Sequence, residues 1–90
     1  MNNQTRKGLS ELYDRLQTLN GHLEDMKGEI EDVKDEEQDK LDNMPESLHG
    51  GERCEAMQTA IDALDNAFNS LETAFDSIQE ALDEIDNAKA

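Results

Sequence analysis

Tryptophan is missing from this chain, three side chains are aromatic (Tyr13, Phe68 and Phe75), and proline and cysteine occur once each. Each shortage excludes something. With 34% hydrophobic and 3% aromatic residues in 90 positions, the chain cannot fill the globular core of a mixed α and β fold. One cysteine makes no internal disulfide, so Cys54, on an apolar stripe, reads as a small core residue in a reducing compartment. No unbroken apolar run approaches the roughly 20 residues that a membrane span requires. The start, Met1-Asn2-Asn3-Gln4-Thr5-Arg6-Lys7-Gly8, has no apolar stretch of the kind a secretion signal carries. Bases are scarce as well: 8 against 23 acids, a formal net charge of −15. Nucleic acid and anionic membranes share that sign and are poor partners, whereas basic proteins and divalent cations are attracted.

What is present is periodicity. Cys54, Met57, Ile61, Leu64, Phe68, Leu71, Phe75, Ile78, Leu82 and Ile85 recur at alternating spacings of three and four, the a and d positions of a heptad repeat. One stripe of a long helix is therefore dry and must meet another helix. Beside it run Ala60, Ala67, Ala74, Ala81 and Ala88, one at every g position, where methyl groups let a neighbouring backbone approach closely. The stripe from Met57 to Ile85 is a candidate self-association seam, widened by this alanine row.

A second heptad helix precedes it. Leu9, Leu12, Leu16, Leu19, Leu23, Met26, Ile30 and Val33 keep the same alternation, with Thr5 the expected N-cap. Gly21 and Gly28 fall at its outward f position, each costing on the order of 1 kcal/mol relative to alanine. After Val33 the next a and d positions are Glu37 and Lys40, and apolar residues return displaced at Leu41 and Met44, which reads as a four-residue stutter over 34–40. Asn43-Met44-Pro45 ends the helix, Pro45 to Leu48 suits one tight turn, and Gly50-Gly51 breaks the chain before Glu52. The expected fold is all-α: one antiparallel two-helix hairpin, helices at about 5–42 and 52–88 and a link at about 43–51, dimerising into a four-helix coiled-coil bundle that covers the wide a/d/g face.

The charges divide unevenly. Residues 1–42 carry 12 acids and 6 bases, residues 43–90 carry 11 acids and 2 bases, and none of those bases lies between Arg53 and Lys89. A solvated helix ordinarily mixes Glu and Lys at i,i+4. Asp83, Glu84 and Asp86 also crowd a helix C-terminus, where negative charge costs roughly 0.3–1 kcal/mol each. Helix stability did not select them. Spread along a helix of roughly 55 Å, −15 amounts to roughly one charge per 3.7 Å, close to the 3.4 Å of a single nucleic-acid strand.

Chemistry has little to stand on. His22 sits at a g position and His49 beside the glycine break, neither near a recognisable nucleophile, so no catalytic residue is expected. Glu46-Ser47-Leu48-His49 has the Glu-x-x-His spacing of di-iron bundles, but once, in the link, and without two further glutamates. No window supplies an EF-hand loop, so no metal or cofactor is expected. Phe68 and Phe75 at successive a positions read as core, and Tyr13, at an e position, as a flank-packing side chain near the surface.

Around the link, Asp35-Glu36-Glu37-Gln38, Asp42-Asn43-Met44-Pro45-Glu46-Ser47-Leu48 and Gly51-Glu52-Arg53, followed by the alanine-led heptads, resemble a group of short acidic helical-hairpin proteins of bacteriophages and integrated mobile elements. The resemblance spans about residues 30–88, implies the cytoplasm of a bacterial host cell as the setting, and gives no activity. The functional expectation is a non-catalytic protein-binding module, a phage-encoded inhibitor presenting a nucleic-acid-like acidic surface to a basic groove of a host protein. The residues that would carry it are Asp62, Asp65, Glu72, Asp76, Glu80, Asp83 and Asp86, with Glu46, His49 and Arg53 at the link. Two alternatives stand beside it: a structural coiled coil working through its seam, and an oligomer sequestering a small nucleotide at its links.

Overall fold

A computed structural model describes residues 1–90 as two long helices, α1 (Asn3–Asp42) and α2 (Glu52–Lys89), joined by a single 3-10 turn, Glu46–Leu48. They fold back as an antiparallel hairpin 70 × 14 × 14 Å in extent. The expected all-α hairpin and its 43–51 link are what forms. The start differs: Asn2, not Thr5, caps α1, its side-chain oxygen accepting the Thr5 backbone N–H at 2.8 Å. Lys40 and Lys89 lie in the last turns and Glu52 and Glu55 in the first turn of α2, the placements that complement the helix dipoles.

The two helices use different faces. On α2 the a/d row faces α1, with Met57, Ile61 and Leu82 buried and Leu64, Phe68, Leu71, Phe75, Ile78 and Ile85 half-buried. On α1 the inward columns are a and e, not a and d. Leu9, Leu16, Leu23 and Ile30 are joined there by Tyr13, Asn20, Lys27, Lys34 and Leu41, while the d column stays wet, with Leu12 at 46%, Leu19 at 51%, Met26 at 47% and Val33 at 52% exposure.

That choice removes the expected stutter. Leu41 continues the e column of Tyr13, Asn20, Lys27 and Lys34, and Met44 continues the a column of Leu9 to Ile30, so nothing is inserted and residues 34–40 are helical throughout. What changes is polarity: the a column turns polar at Glu37 and the e column apolar at Leu41, where Leu41, Met57 and Ile61 form the one compact core cluster with Met44 and Cys54 against it. Cys54 is the small packing residue expected of it.

Candidate functional site

The interhelix seam is apolar on one side and polar on the other. Along the e column of α1, the Lys27 ammonium lies 5.2 Å from the Phe68 ring centre and 5.5 Å from that of Phe75. Lys89 of α2 sits 4.8 Å over the ring of Tyr13, which is thus half-buried in the seam. Such contacts offset part of the cost of bringing a cation to an apolar face. Lys34 donates to Asp65 at 2.9 Å. That hydrogen bond, and then the carboxylate's charge, raises the lysine pKa. Its contribution is therefore present below the ordinary lysine range and lost as pH rises through the raised value. The pair is exposed and its contribution to stability is small.

Asn20 is the one buried polar residue, 3% exposed. Its amide nitrogen donates to the Phe75 carbonyl at 3.3 Å and lies 3.5 Å from the Gln79 side-chain oxygen, while its own Oδ1 has no partner. An unpaired buried oxygen costs about 1–3 kcal/mol. Asn20→Leu is accordingly expected to raise the unfolding free energy by about 1–2 kcal/mol, read from urea melts; a loss of stability would show that the amide is a net stabiliser.

The seven acids expected to form a partner surface, Asp62, Asp65, Glu72, Asp76, Glu80, Asp83 and Asp86, are all exposed and share the outward b, e and f positions of α2. Two have cationic partners, Asp65 with Lys34 and Asp86 with Lys89 at 3.4 Å. The other five face solvent without one. The structure thus brings this set together along one face and separates it from the link residues.

At the link, Glu46, His49 and Arg53 are exposed. His49 Nε2 is 2.8 Å from the Met44 carbonyl, a hydrogen bond that closes the turn. The Gly51 N–H reaches the Leu48 carbonyl at 3.2 Å, and a Cβ on Gly51 would lie 3.4 Å from that oxygen. No glycine has positive φ; Gly51 is the N-cap of α2 in extended backbone, a position where glycine is among the favoured residues. Arg53 lines an open cleft of about 570 Å³ with Glu37, Asp39, Lys40 and Met57. A phosphate there would meet two carboxylates as well as two cations, which weighs against the nucleotide reading. No three His, Cys, Asp or Glu side chains converge on a metal-sized site.

Sequence reasoning missed the inward e column of α1. The signal was there: Tyr13, Asn20, Lys27 and Lys34 repeat every seven residues and lead into Leu41. No helix is long and apolar enough to cross a membrane. Comparison with protein-family models, curated proteins and solved structures finds no match.

Proposed function

We propose that this chain is a non-catalytic protein-binding module that presents the outward acidic face of α2 to a basic, nucleic-acid-binding groove of a host protein, as a phage-encoded inhibitor would. The observation that carries this reading is the row of seven exposed acids on one 38-residue helix with no base between Arg53 and Lys89. Along the 70 Å rod, −15 is roughly one charge per 4.7 Å, sparser than the 3.4 Å of a single strand. Two rods side by side would reach roughly 2.3 Å, between a single strand and the 1.7 Å of a duplex.

The test compares the chain with its Asp62→Lys/Asp76→Lys/Asp83→Lys variant as baits for bacterial lysate. A basic nucleic-acid-binding protein should be retained at low salt, released at moderate salt, and held at least tenfold more weakly by the variant, whose helical circular dichroism is unchanged. Equal retention by both baits refutes the acidic-face reading.

A second reading, a structural module that works through self-association, draws support from one observation: Leu12, Leu19, Met26 and Val33 form an exposed apolar column on α1.

A further inference from the structure

We propose that two copies of this hairpin close a four-helix bundle about a twofold axis running along the rod, the Leu12–Val33 column of each α1 packing on the alanine column of the other copy's α2. The inference gives a surface to the self-association reading and does not depend on what the acidic face meets.

The first support is the flank itself. Asn20 meeting Gln79 and Lys34 meeting Asp65 put the e columns of both helices on one side of the seam. In an antiparallel pair this turns the α1 d column and the α2 g column to the opposite side, where they lie next to each other. That side joins large to small. On α1 it carries Leu12, Leu19, Met26 and Val33. On α2 the g column joins the c column in an unbroken run of small residues at spacings of four and three: Ala56, Ala60, Ala63, Ala67, Ser70, Ala74, Ser77, Ala81. The acids of α2 lie elsewhere, at b, e and f, except Glu84 beyond the run.

The second support is angular. At about 100° per residue, the α1 d column stands about 80° from the middle of the a/e face that meets α2. The α2 g column stands about 90° from the middle of its a/d face, toward the same flank. A square bundle asks each helix for two contact faces about a right angle apart. Both helices have them, on the matching side.

The third support is register. Rotation about the long axis leaves every residue at its own height, so the partner's α2 is level with the chain's own. The pairs Lys34–Asp65 and Asn20–Gln79 fix that level. Leu12 then comes opposite Ala88 of the other copy, Leu19 opposite Ala81, Met26 opposite Ala74 and Val33 opposite Ala67, so each large side chain meets one alanine. All neighbouring helices are antiparallel. The bundle core becomes a/d on α1 and a/d/g on α2, which is the pattern written in the sequence and only half used by a single hairpin.

Area fits as well. From Leu9 to Leu41 the flank runs about 48 Å by the helix rise and is 14 Å wide in Cα extent, about 650 Å² per copy and about 1,300 Å² in all, within the standard range for stable complexes. Opposing it is the net charge of −15 on each copy, so association should strengthen with salt.

Sedimentation of the full chain should show a particle of about twice 10.1 kDa, with a dimer fraction that rises with salt. Ala81→Arg, at a site already exposed in the hairpin, should leave helicity intact and give monomer, although it lowers the negative charge that opposes association. Asp83→Asn makes the same one-unit charge change on the outer face and should stay dimeric. Independently, in a Cys54→Ala background, chains bearing Leu19→Cys mixed with chains bearing Ala81→Cys should oxidise to a mixed disulfide dimer at least tenfold faster than either alone. A monomer at all salts and concentrations overturns both this inference and the self-association reading. A dimer that survives Ala81→Arg and gives no preferential mixed cross-link overturns this surface alone.

Discussion

Leu82→Ala should lower the unfolding free energy by about 3 kcal/mol, within the 2–5 kcal/mol that truncating a buried leucine costs. Leu82 is the most enclosed side chain, 2% exposed, and one of only five buried residues. A domain of this length has about 5–13 kcal/mol in total. The loss is a large share of that and should lower the melting temperature by about 12–24 °C, read by circular dichroism. Leu12→Ala is the control, because Leu12 is 46% exposed in the hairpin. Its effect should be small in dilute protein and grow with protein concentration, since in the bundle proposed above Leu12 is covered by the other copy. Equal, concentration-independent losses from the two variants would mean that burial in the hairpin does not set the cost.

The opposite change is expected from Gly21→Ala/Gly28→Ala. Both glycines lie in the middle of α1 with negative φ, and an added Cβ at either meets nothing within 4 Å. Alanine there restricts the unfolded chain and improves helix propensity, about 1 kcal/mol per site. The double variant should melt about 8–16 °C higher. Gly51→Ala provides the contrast, for Gly51 is the N-cap of α2 and not a helix-interior residue, a position where alanine is disfavoured, and no comparable gain is expected. If the double variant melts at the parent temperature, α1 is not continuous in solution across Asn20-Gly21.

These expectations draw on different depths of information. The hairpin was legible because Leu9 to Val33 and Cys54 to Ile85 keep heptad phase and because Pro45 and Gly50-Gly51 can only interrupt it. The face α1 turns inward was not. Hydrophobicity places Leu12, Leu19, Met26 and Val33 in the seam, yet two helices pack along a single line, and the line that suits the a/d row of α2 passes between the a and e columns of α1. Lys27 and Lys34 tolerate that position because their long stems lie along the seam while their ammonium groups reach aromatic rings or a carboxylate, and Tyr13 because its ring face takes the Lys89 cation. The same geometry accounts for the misread stutter, since Leu41 is out of phase with the d column and in phase with the e column. The acidic face was legible as a set of outward positions. Asp65 keeps its cation only through the antiparallel register, which no local pattern carries, whereas Asp86 and Lys89 form an i,i+3 pair that the spacing already contains.

The hairpin's single reversal gives the molecule a direction. Asn3 and Lys89 stand together at one end of the 70 Å rod and Pro45 stands at the other. A dye, an affinity handle or a surface linker fixed to either terminus would therefore hold the molecule like a matchstick by its tail, with the Glu46–Arg53 tip farthest from the anchor and the acidic flank along the shaft unobstructed.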